Sequence, residues 1–126
     1  MVTKIITDAL FEFFRGDTYT RDFSVLWSYP ISKIYFTVKE TVEGKKVFVQ
    51  KTLDNGITLV DEDESGVKTY NLSICCTDTD NMKTDKDYVF DIEIHSQGVD
   101  GEVIKRTIVT GVVRLLGSAT RTCNER

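Results

Sequence analysis

Apolar and polar positions alternate over most of the chain. Ile34, Phe36 and Val38 fall on one side of a two-residue period, with Tyr35, Thr37 and Lys39 on the other. Val47 and Val49 alternate with Phe48 and Gln50, and Tyr70, Leu72 and Ile74 share a phase. The cleanest run sets Tyr88, Phe90, Ile92 and Ile94 against Val89, Asp91, Glu93 and His95. A period of two with one polar side marks strands of an antiparallel sheet packed on one face. Strands are predicted near 10–14, 18–27, 32–40, 46–52, 57–60, 67–75, 87–95 and 103–115. Turn signals separate them: Arg15-Gly16-Asp17, Ser28-Tyr29-Pro30, Glu43-Gly44-Lys45, Asp54-Asn55-Gly56, Glu64-Ser65-Gly66, Asp78 to Asn81 and Gln97 to Gly101. Gly111 interrupts the last strand and predicts a bulge or a change of sheet. One short helical turn is expected near 78–85. Short strands with turns at this spacing build a sandwich or a barrel.

Composition reinforces the class. Of 126 residues, 14 are Val, 10 Ile and 16 Thr, against 2 Ala and 7 Leu. Side chains stiff at χ1 suit strands, and the best helix formers are scarce. The length is that of one domain, 1–126, with 1–8 and 118–126 expected as flexible or docking arms. Sixteen Lys and Arg against 20 Asp and Glu give a formal charge of −4, which argues against a nucleic-acid partner. No uncharged apolar run is long enough to span a membrane. The first residues, with Lys4, Asp8 and Glu12, do not spell a secretory signal. Cys75 and Cys76 are adjacent and point to opposite sides of an extended chain, a poor disulfide pair. With Cys123 the count is odd, which argues against a disulfide scaffold and fits synthesis in a reducing cytoplasm.

Candidate chemistry is sparse. His95, the sole histidine, falls on the polar side of its strand beside Asp91 and Glu93; it is expected to be solvated, and a Cys–His pair with Cys75 or Cys76 is the catalytic alternative. The carboxylates at 61–64 are expected in a solvated loop. Asp78-Thr79-Asp80-Asn81 is weighed as a calcium loop, but it lacks the EF-hand spacing and reads as Asx-turn chemistry. One histidine and no CxxC leave zinc without ligands. No catalytic residue, metal or cofactor is therefore expected. Arg15-Gly16-Asp17 matches an integrin-binding tripeptide and is read as a tight turn. Phe11, Phe13 and Phe14 are either the first core strand or a docking surface. Tyr88, opening the penultimate strand after a polar turn, is where immunoglobulin-type sandwiches place a tyrosine corner. The expected fold is thus all-β, an antiparallel Ig-like β-sandwich of about seven to eight strands.

An ordered set of segments carries a resemblance. They are Phe14-Arg15-Gly16-Asp17-Thr18-Tyr19; Pro30-Ile31 followed by Ile34 to Lys39; Asn55-Gly56-Ile57; Asp87 to Ile94; and Arg106 to Gly111. Together they resemble the Ig-like module of tail and baseplate proteins in phages and prophages of Gram-positive bacteria, similar in layout to the N-terminal domain of the baseplate upper protein family. The resemblance implies a non-enzymatic virion structural or assembly protein, made in the bacterial host cytoplasm. Its partners would be other virion or tail proteins, with a homo-oligomer as a further expectation. The alternative is a carbohydrate- or cell-surface-binding Ig-like module, which would expose Trp27, Tyr29 or Tyr35 as an aromatic platform.

Overall fold

The computed structural model describes residues 6–27 and 29–117. The strands in chain order are β1 (Ile6–Phe14), β2 (Tyr19–Leu26), β3 (Ile31–Lys39), β4 (Val47–Leu53), β5 (Gly56–Glu62), β6 (Val67–Ile74), β7 (Asp87–Gln97) and β8 (Val103–Leu116). One 3₁₀ turn, Cys76–Thr79, lies between β6 and β7. The strands form a single mixed sheet in the order β1-β8-β7-β3-β4-β5-β6-β2. Its end strands, β1 and β2, are joined by only four residues, 15–18, so the sheet curls round until it is nearly closed, like a barrel.

The all-β class follows from the alternation; the purely antiparallel arrangement does not. β1 runs parallel to β8 from Ile6↔Val109 to Phe14↔Leu116. β4 touches β5 in parallel only at Thr52↔Gly56 and Leu53↔Ile57. Alternation reports which side of a strand is buried, and it is silent on the direction of the neighbour. The expected arm at 1–8 is also corrected, since residues 6–8 belong to β1. Residues 1–5 and 118–126 lie outside the described residues.

Inward side chains fill the enclosed space. Ile34, Phe36 and Val38 of β3 meet Phe90, Ile92 and Ile94 of β7, with Leu72 and Ile74 of β6 and Val113 and Leu115 of β8. Each such side chain contributes roughly 1.5–3 kcal/mol relative to exposure. A bulge in β8 faces Ile92 and Glu93, which pair with Val109 and Thr107, leaving Ile108 as the extra residue. Ile108 and Val109 are consequently both buried. A second irregularity, in β1, sets Ile6 and Ala9 against Val109 and Gly111. Asp8 within it has φ 62°, a left-handed conformation that Asp tolerates better than most residues. The bulge expected at Gly111 therefore lies beside it, at Ile108 and across the ladder in β1. Gly111 itself is needed for close approach: a Cβ there would sit 2.1 Å from the Ala9 carbonyl oxygen.

At one end of the sheet the Arg15-Gly16-Asp17 turn is clamped. The Gly16 amide donates to Thr79 Oγ1 at 3.1 Å, and Arg15 Nη2 donates to the Asp80 carbonyl at 3.2 Å. The 3₁₀ turn starts earlier than the expected 78–85. Asp78 accepts the Cys75 amide at 2.7 Å and pairs with Lys51 Nζ at 2.7 Å, which anchors the turn directly after β6.

Candidate functional site

The outward side of β1, β8, β7, β3 and β4 carries the most organised surface. Register arranges its side chains in rows across the strands. One row is apolar apart from a single lysine: Leu10↔Val112↔Val89↔Lys39↔Val47. The next is Thr110↔Asp91↔Thr37↔Gln50, and the one after it Thr107↔Glu93↔Tyr35↔Thr52. Lys105↔His95↔Lys33 follows. On the other side of the apolar row stand Glu12↔Arg114↔Asp87.

A groove of about 310 Å³ lies on the apolar row, with Asp8, Lys39, Val42, Val89, Asp91 and Val112 among its lining residues. Side-chain-free Gly111 and the kink at Asp8 shape one end of it. Val42, in the β3–β4 connection, stands over it and is 79% exposed. A second depression of about 360 Å³ shares Thr37, Lys39 and Asp91 with the first and continues to Tyr35, Gln50 and Glu93.

Several charges bordering this surface are already paired. Arg114 makes a two-pronged contact with Asp87, at 2.6 and 3.1 Å, and reaches Glu12 at 3.3 Å. That hydrogen bonding holds the Asp87 carboxyl below its ordinary range and raises the Arg114 guanidinium. His95 Nε2 lies 2.6 Å from Glu93 Oε1, and its ring leans on Tyr35 with centroids 5.0 Å apart. Its side chain is only 13% exposed, so the solvated histidine expected from the alternation is corrected. Tyr35, from the neighbouring strand, covers it.

Asp91 differs. Its carboxylate has no hydrogen-bond or ion-pair partner among the described residues, although Lys39 and Asp8 line the same groove. Burial, then repulsion from Glu93, raises its pKa above the usual carboxylate range, and Lys39 opposes the shift. A carboxyl raised on folding favours the fold fully below its unfolded pKa. That contribution is lost as pH rises through the folded value, so ionised Asp91 weakens the protein at pH 7. Asp91→Asn is expected to raise the thermal midpoint at pH 7. The gain should vanish below the ordinary carboxylate range, where Asp91 is protonated. Paired melting curves from pH 3 to 8 check both halves.

The other residues singled out in the sequence are dispersed. Phe11 and Phe13 are 4% and 7% exposed and belong to the core, while Phe14, pointing outward, is 45% exposed. The docking surface proposed for all three is therefore corrected to Phe14 alone. The period-two rule carried this signal, since it puts Phe11 and Phe13 in one phase and Phe14 in the other. Tyr88 is buried, rests edge-on against Phe48, and accepts the Lys83 amide at 2.8 Å on its hydroxyl. Trp27, Tyr29 and Tyr35 are half-buried. Trp27 Nε1 donates to Ser96 Oγ at 2.8 Å, and the Arg106 guanidinium lies over its ring.

The acidic run at 61–64 is not all loop. Asp61 and Glu62 end β5, and Asp63 Oδ1 accepts the Ser65 and Val67 amides to close the turn. Cys75 is a free, exposed thiol, whereas Cys76 is disulfide-bonded. The two neighbours are not joined to each other, as their opposed directions require. Cys123 lies outside the described residues. What sequence reasoning missed is the groove, because four strands and the β3–β4 connection contribute to it and no single segment spells it. No protein-family description matches this chain, and no curated protein matches it.

Proposed function

We propose that this chain is a non-enzymatic docking module with an Ig-like sandwich layout, serving as a structural or assembly protein of a phage tail or baseplate. The observation that carries the docking reading is the outward row Leu10, Val112, Val89, Lys39 and Val47 across five strands, half-buried in its middle and exposed at Leu10 and Val47, with exposed Val42 above it. A mainly apolar cross-strand row, bordered by one charged and one polar row, has the layout of a protein-protein interface: apolar centre, polar rim.

The strand order supports the Ig-like layout. β2, β6 and β5 are consecutive, as are β8, β7 and β3, matching the B-E-D and G-F-C runs of immunoglobulin-type sheets. β4 extends the second run as an added strand does in variable-type domains, and only a two-residue contact links it to β5. Tyr88, buried near the start of β7 with its hydroxyl on an upstream amide, has the features of a tyrosine corner. The phage assignment rests on the resemblance of the ordered segments from Phe14 to Gly111.

In the bacterium that carries the gene, particles purified after prophage induction should contain the chain at a fixed ratio to the tail-tube protein. Quantitative mass spectrometry reads that ratio. A chain recovered only from the particle-free lysate would overturn the assignment.

A further inference from the structure

We propose that the groove over the Val112–Val89 row receives an arginine or lysine side chain of a partner protein, carried on an apolar segment, with Asp91 as its counter-ion. The inference rests on the docking reading above and specifies the chemistry of the partner.

Charge complementarity selects the occupant. Asp8 and Asp91 line the groove against one cation, Lys39. The carboxylates nearby at Asp87, Glu12 and Glu93 are committed to Arg114 and His95, whereas Asp91 is not paired among the described residues. An incoming carboxylate would meet Asp91, Asp8 and Glu93; an incoming cation would supply the partner that Asp91 lacks. The walls suit the rest of such a side chain. Val42, Val89 and Val112 are apolar, and Lys and Arg lay their methylene stems along apolar surface while the charged head reaches a carboxylate. A groove of about 310 Å³ is large enough for one long side chain and its neighbours. Apart from Lys39, the lysines in these rows, Lys33 and Lys105, stand three rows away beside His95. With a net charge of −4 two copies repel, which favours a different protein over a second copy.

The raised pKa of Asp91 agrees with this arrangement. A half-buried carboxylate that Lys39 only partly compensates is a cost to the free protein that a bound cation removes. Such a residue shows opposite signs in two assays: its neutral replacement stabilises the free fold and weakens binding.

The test uses three capped tripeptides, Val-Arg-Val, Val-citrulline-Val and Val-Glu-Val, titrated into ¹⁵N-labelled protein. The arginine peptide should give saturable amide shifts at Lys39, Val89, Asp91, Thr110 and Val112. The neutral citrulline isostere should bind about tenfold more weakly, as loss of one charge-assisted contact predicts. Asp91→Asn should weaken the arginine peptide by a similar factor while keeping a dispersed native spectrum. Equal shifts from the arginine and citrulline peptides, unchanged affinity in Asp91→Asn, or no saturable shift at millimolar peptide would each overturn the inference. So would a dimer by sedimentation equilibrium whose dissociation displaces these same amides, since a second copy would then occupy the groove. Failure of the peptides while particles contain the chain condemns the groove alone. Absence from particles condemns the phage assignment, whatever the peptides do.

Discussion

Replacing Gly111 by valine should cost at least about 2–3 kcal/mol of stability, although valine is a better strand residue than glycine. The added Cβ would lie 2.1 Å from the Ala9 carbonyl oxygen, 2.8 Å from its carbon and 2.9 Å from the Phe90 ring. Two of these atoms are backbone of β1, held in the parallel ladder by Ala9↔Gly111 and Leu10↔Val112. They cannot rotate away as a flexible side chain would, so β1 must shift or separate from β8. The cost is steric: the φ of Gly111 is not among the positive values. Urea denaturation reads the overall loss, and amide exchange locates it. Protection should fall first in Leu10 to Phe14 and persist in β5 and β6, which share no ladder with β1. Gly117→Val is the control, because nothing lies within 4 Å of a Cβ there; it should stay within about 0.5 kcal/mol of the parent. A Gly111→Val protein as stable as that control would mean that β1 does not approach β8 as described.

The same corner of the fold shows what alternation reveals and what it conceals. Strands β3, β6 and β7 are legible because their buried positions alternate in one phase; β6 is expected at 67–75 and runs Val67–Ile74. β1 is expected only from residue 10, yet begins at Ile6. Asp8 breaks the phase because it occupies an irregularity with φ 62°, and a polar residue out of phase reads as a tail. β5 reads short for a related reason. Asp61 and Glu62 continue the strand with their side chains exposed, so their charges spell a loop. Partner direction is not a local property. Nothing between residues 6 and 14 records that residues 109–116 will lie alongside in the same direction. The groove is hidden on the same grounds. Val112, Val89 and Lys39 come from three strands, and only their register makes them neighbours. His95 illustrates the intermediate case: its side of the strand is readable, while its burial is decided by Tyr35 on β3.

Phe11→Ala should be the most damaging truncation in β1, costing about 3–5 kcal/mol, the usual range for removing a buried phenylalanine. The Phe11 ring stacks on Phe90 at 4.3 Å and contacts Tyr19 and Phe36 at 5.4 and 6.1 Å. It bridges the two ends of the sheet, since Phe11 lies on β1 and Tyr19 on β2. Its loss opens a cavity where the barrel is least closed, and the surrounding strands are held by their ladders and cannot collapse fully into it. Against a typical domain stability of about 5–15 kcal/mol, much of the margin disappears. Phe14→Ala separates packing from docking. Phe14 is outward and exposed, so its removal should change the unfolding free energy by no more than about 0.5 kcal/mol and leave the urea midpoint nearly unchanged. A binding assay alone would confuse the two, because a half-unfolded Phe11→Ala protein also fails to dock. Measured together with stability, a partner affinity that falls in Leu10→Ala or Phe14→Ala at unchanged midpoint assigns the outward side of β1 to the interface. A Phe11→Ala protein of near-parental stability would instead remove Phe11 from the core, and with it the packing that joins β1 and β2 across the seam.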